Sequence, residues 1–89
     1  MSDFERVRLM YDLILGLVVS GKKVKVVTQL FSVEFFEKNK MFYAKTEKVT
    51  ATADYLHSLY DLVKYSIADG ALDGEIDILI NGKSFAVIK

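Results

Sequence analysis

The apolar positions change period three times along the chain. From Phe4 to Val18, Phe4, Val7, Met10, Tyr11, Ile14, Leu17 and Val18 recur at helical spacing on one broad face, with Glu5, Arg8, Asp12 and Gly16 opposite. Ser2 and Glu5 have the spacing of a capping box, and Ser20-Gly21 supplies the stop. Leu9, Leu13 and Leu15 widen the apolar face beyond what one core requires, so this helix is expected to pack on a sheet and on something else.

From Lys23 to Phe36 the period is two. Val24 and Val26 are apolar on even positions, Phe31, Val33 and Phe35 on odd ones, and the change demands a bulge or break near Thr28-Gln29. A helix over 28–38 is the rival reading, but the aromatic and β-branched content favours strand. "EKNK" (37–40) reads as a four-residue loop, after which "MFYAKTEKVTA" returns as the partner strand. Pairing Phe36 with Met41 sets Phe35 against Phe42 and Val33 against Ala44. One face then carries Phe31, Val33, Phe35, Phe42 and Ala44, the other Ser32, Glu34, Phe36, Met41, Tyr43 and Lys45.

A second helix is expected from about Ala53 to Asp69, with Thr52 as N-cap, Asp54 in the first turn and Gly70 as the stop. Leu56, Leu59, Tyr60, Val63 and Ile67 form its apolar face, and Asp54, His57, Asp61, Lys64 and Tyr65 lie opposite. In "EIDILINGKSFAVIK", Asn81-Gly82 predicts a type I′ turn that sets Ile80 against Lys83, Ile78 against Phe85 and Ile76 against Val87. The resulting order, α-β-β-α-β-β, predicts one α+β domain over residues 1–89. In that two-layer arrangement, two helices pack on one face of a four-stranded antiparallel sheet.

Composition adds a constraint on stability. An 89-residue chain has a small interior. It contains no cysteine and one histidine, so disulfides and thiolate or histidine-rich metal sites are excluded as stabilisers. With 52% hydrophobic residues, some apolar surface is expected at an interface, and a homodimer is the expected state. The run "LILGLVV" (13–19) is far shorter than the roughly 20 residues of a membrane helix, and acids precede it. A cytoplasmic protein with no membrane association is therefore expected.

The net charge is zero but unevenly spread. Residues 22–48 hold seven lysines against three glutamates, and residues 49–82 hold six acids against Lys64. The two segments could attract one another, or leave one basic and one acidic face.

No motif names a chemistry. His57, beside Ser58 and between Asp54 and Asp61, spells a triad, but adjacent helical residues diverge by about 100° and the group reads as solvated surface. "DGALDGEID" (69–77) fits neither register of a calcium loop. Phosphate-cradling glycine motifs are missing, so no catalytic, cofactor or metal residues are assigned and the chain is not expected to be an enzyme. The candidate surface is the hairpin 23–48, where Phe36, Met41 and Tyr43 share a face with lysines, among them Lys38, Lys40 and Lys45. Tyr65 stands alone on the polar side of the second helix.

Rings and cations suit an acidic protein partner. They equally suit single-stranded nucleic acid or a nucleotide, and lysines on a strand also deter edge-to-edge aggregation. The first expectation is a non-enzymatic homodimer that binds and blocks a partner protein; the alternative is a binder of an anionic ligand. In composition (short, lysine-rich, free of proline, cysteine and tryptophan) the chain resembles small phage-encoded proteins that inhibit host machinery, a likeness that no motif carries.

Overall fold

The computed structural model describes residues 3–29, 31–67 and 74–88, the side chains of residues 3, 4, 66 and 67 excepted. Ser2, the Gly70 stop and most of the acidic run 69–77 lie outside the described residues. Eight elements follow in order: α1 (Asp3–Val19), β1 (Val24–Val27), β2 (Ser32–Lys38), β3 (Met41–Lys45), β4 (Thr50–Ala53), α2 (Leu56–Ile67), β5 (Ile76–Ile80) and β6 (Lys83–Ile88). The strands form one antiparallel sheet in the order β4-β3-β2-β1-β5-β6. The α+β class is as expected, but the sheet has six strands rather than four.

Two additional hairpins account for the difference. The parity change near Thr28 is a reversal of the chain, not a bulge within one strand. The Thr28 N–H donates to the Phe31 carbonyl (2.8 Å), and the Phe31 N–H donates back to Thr28 Oγ1 (3.1 Å). The same device recurs between β3 and β4. The Thr46 N–H donates to the Val49 carbonyl (2.9 Å), and the Val49 N–H to Thr46 Oγ1 (3.1 Å). A threonine hydroxyl thus takes a donor that a tight loop would otherwise leave free.

The expected four-residue loop at 37–40 is a two-residue turn. Asn39 and Lys40 both have positive φ (53° and 65°), so Lys38 pairs with Met41, Phe36 with Tyr43 and Phe35 with Ala44. This register lies two residues from the expected one. A shift of two preserves which face each side chain occupies, so the expected faces stand.

The Asn81-Gly82 turn forms as expected, with φ of 53° and 83°, and Ile80 pairs with Lys83. Beyond it the expected register fails. A bulge between Ile78 and Leu79 makes Phe85 an extra residue, so Ile78 meets Ala86 and Ile76 meets Ile88. Val87 therefore lies opposite Asp77, on the face away from the helices.

Both helices pack on one side of the sheet. Met10, Tyr11, Ile14 and Val18 of α1 and Leu59 and Val63 of α2 are buried with Val24, Val26, Val33, Phe35, Ile76 and Ile78 of the sheet. Each large side chain so enclosed contributes about 1.5–3 kcal/mol. The wide apolar face of α1 has the expected two neighbours, the sheet and α2, and Tyr11 meets Tyr60 edge-to-face at 5.8 Å.

The end of α1 is a Schellman motif. The Lys22 N–H bonds the Leu17 carbonyl and the Gly21 N–H the Val18 carbonyl, both at 3.0 Å, with Gly21 at φ 91°. α2 starts later than expected. Thr52 is not its N-cap but a strand residue paired with Tyr43, and Asp54 precedes the first turn. Leu56 and Tyr60, expected on the apolar face of α2, are exposed.

Arg6 was not singled out by periodicity, yet it is buried. Its guanidinium donates to the carbonyl of Gly74 and, at 3.5 Å, to that of Ile88, joining α1 to both ends of the β5–β6 hairpin.

Candidate interaction face

The face of the sheet opposite the helices carries no layer among the described residues. Strand alternation sets its occupants. Tyr43 and Lys45 of β3 stand beside Glu34 and Phe36 of β2, then Lys25 and Val27 of β1, Asp77 and Leu79 of β5, and Val87 of β6.

One row across this face is charged. Lys45, Glu34 and Lys25 are direct cross-strand partners, and Lys23 Nζ lies 3.9 Å from Glu34 Oε1. The alternation of sign holds the row in place, and so exposed a pair contributes at most about 1 kcal/mol. The lysines outnumber the acids, which leaves this end of the face positive.

The next row is aromatic. Phe36 and Tyr43 stack with centroids 5.2 Å apart and planes 11° from parallel. Lys23 Nζ lies 5.3 Å from the centroid of the Phe36 ring. Phe36 is therefore occupied by a ring and by a cation, and Tyr43 has Thr52 as its other cross-strand neighbour. Rings held side by side on a sheet present their edges, which carry the positive part of the ring quadrupole.

The expected site residues separate into three places. Phe36, Tyr43 and Lys45 lie together on the open face. Lys38 and Lys40 stand at the β2–β3 turn, exposed. Met41 and Tyr65 line an adjoining cleft of about 480 Å³ between α2 and the β3–β4 hairpin, with Thr52, Asp54 and Asp61. Tyr65 is 79% exposed there, and the two aspartates make that cleft acidic where the open face is basic. His57 is exposed, and its ring lies 4.5 Å from that of Tyr55.

A second group on the open face was missed. Leu79 and Val87 lie at its β5–β6 end, next to Phe85, the unpaired residue of the bulge, and Phe85 and Val87 are 53% and 43% exposed. Strict alternation from the Asn81-Gly82 turn assigns both to the core, and no residue in the hairpin announces the bulge.

The groove between the helices offers a third feature. Tyr11 and Tyr60 line a cleft of about 360 Å³ with Val7, Arg8 and Asp12. Burial pushes the Tyr11 hydroxyl above the ordinary tyrosine value, and Tyr60 nearby adds to the effect.

Among the described residues no helix is long and apolar enough to cross a membrane. Comparison with protein-family models, curated proteins and solved structures found no match for this chain.

Proposed function

We propose that this protein is a small, non-enzymatic interaction module of the cytoplasm. It docks an acidic partner protein on the lysine-and-ring end of its open sheet face and blocks the surface it covers. The observation that carries the reading is the arrangement around Phe36, with Lys23 on one side and the stacked Tyr43 on the other.

A nucleic-acid base stacks on the flat face of a ring. Both neighbours of Phe36 would have to move to admit one. Ring edges and lysine ammonium groups attract carboxylates without any rearrangement, so an acidic protein surface is favoured over single-stranded nucleic acid or a nucleotide. The acidic cleft beside Tyr65 borders this surface through Thr52, and its carboxylates would repel the acidic partner.

The test is affinity capture from a plausible host lysate with mass spectrometry. Wild type is compared with a Lys38→Glu, Lys40→Glu, Tyr43→Ala variant whose fold is verified by circular dichroism. The expected result is an acidic protein captured by the wild type, lost in the variant and released by salt. In parallel, oligonucleotides and nucleotides are titrated at low salt. Tight, salt-sensitive binding of either, abolished by Tyr43→Ala, would replace the protein-partner reading with the anionic-ligand one.

A further inference from the structure

We infer that a second copy of this chain docks on the β6 edge of the sheet, the two β6 strands running antiparallel about a two-fold axis. This surface is separate from the lysine-and-ring end and does not depend on the partner proposed for it.

The bulge is the first observation. Without it, Phe85 and Val87 would face the helices, as simple alternation predicts. With it, Ala86 and Ile88 face inward, and Phe85 and Val87 are left 53% and 43% exposed beside the half-buried Leu79. Bulges re-aim side chains at sites of use. Here the bulge moves two large apolar groups from the core side into water, an arrangement that gains its stability only when the groups are covered.

The second observation is the edge. β6 is the last strand of the sheet, and no described strand pairs with its far side. Its six residues include a single charge, Lys83. After the bulge, Ala86, Val87 and Ile88 resume regular pairing with β5, so their outward N–H and C=O groups keep strand geometry. An identical strand lying antiparallel satisfies this edge with the same groups it presents, as a two-fold contact requires. The opposite edge differs. β4 has four residues, alternating threonine and alanine, and packs against α2.

Charge selects this mode over face-to-face packing. Stacking two open faces would cover Lys23, Lys25 and Lys45 of each copy and strip water from their ammonium groups. Pairing along β6 unites the two Leu79–Phe85–Val87 patches and keeps the lysine ends far apart.

Sedimentation velocity of the full chain over a concentration series tests the inference. The wild type is expected to sediment as a dimer, insensitive to salt. Phe85→Lys combined with Val87→Lys is expected to weaken the dimer on the order of 100-fold. Single cysteines provide a second measurement, because the chain has none of its own. Val87→Cys keeps the size and apolar character of the residue, and a short bismaleimide should link it into covalent dimers. Lys48→Cys, at the far hairpin, should give no covalent dimer under the same treatment.

A wild type that is monomeric throughout overturns the inference. So does a dimer that survives the double lysine variant, or linking at Lys48→Cys as efficient as at Val87→Cys. If the double variant does not fold, the cysteine pair decides alone. The Lys38→Glu, Lys40→Glu, Tyr43→Ala variant should dimerise like the wild type, so loss of the partner and loss of the dimer are read separately.

Discussion

Phe35 and Phe36 are adjacent in β2 and belong to opposite worlds. Phe35 is fully enclosed between the sheet and the helices, while Phe36 stands half-buried on the open face between Lys23 and Tyr43. The same contrast runs through the whole sheet. The helix side is valine, isoleucine, phenylalanine and alanine, closed by α1 and α2. The open side mixes rings, lysines and acids, and its order comes from cross-strand pairs rather than from enclosure. One face determines whether the chain folds. The other can change its chemistry at small cost in stability, which is the property expected of a surface that recognises a partner.

The sharpest way to break this contrast is to remove each ring in turn. Phe35→Ala should cost about 3–5 kcal/mol in urea denaturation, from lost burial and the cavity left behind. Phe36→Ala should cost less than about 1.5 kcal/mol, because the ring is partly solvated already. Equal losses would mean that the open face is covered by something as firmly as the helix side is.

Arg6 gives the next largest effect, and it is a polar group on the enclosed side. Arg6→Leu leaves the carbonyls of Gly74 and Ile88 without their guanidinium donor and should destabilise by about 1–3 kcal/mol. Hydrogen exchange should quicken first in the β5–β6 hairpin. A loss confined to α1 would show that the arginine does not hold that hairpin.

On the open side, a double-mutant cycle between Phe36→Ala and Tyr43→Ala should return a coupling of about 0.5–1.5 kcal/mol. A coupling near zero would mean that the two rings do not remain stacked in solution, and Phe36 would then be accessible to a base.

The smallest effect is alkaline. Folding holds the Tyr11 hydroxyl above its ordinary value, so the unfolded chain loses that proton first. The resulting stability is complete below about pH 10 and is lost as pH rises through the higher folded value. Tyr11→Phe should flatten the alkaline limb of the stability profile relative to wild type. An unchanged slope would mean that the hydroxyl is solvated despite its burial.

Much of this was legible in the chain. Helical spacing from Phe4 to Val18 identifies α1 and the side it buries, Gly21 marks its end, and Asn81-Gly82 marks a hairpin. These are local signals, carried by the positive φ that glycine and asparagine tolerate and by periods that survive any tertiary context. The faces of β2 and β3 were legible as well. The two-residue error in register did not disturb them, because a strand repeats every two residues. Phe36, Tyr43 and Lys45 came together as their parity required.

What the local pattern left open was set by long-range pairing. Thr28 and Thr46 do not distinguish a kink within a strand from a reversal between two strands. The reversals turn two expected strands into four, so that β1 pairs with β2 and β5, and β4 is added beyond β3. The β6 bulge likewise has no marker of its own, yet it decides which side of the sheet Val87 occupies and leaves Phe85 unpaired and exposed. Met41 and Tyr65 line one cleft because α2 packs against the β3–β4 hairpin. Periodicity assigns each segment its amphipathic faces, since those follow from backbone geometry alone. Only the assembled sheet determines which faces end up covered, because that depends on which strands are brought side by side.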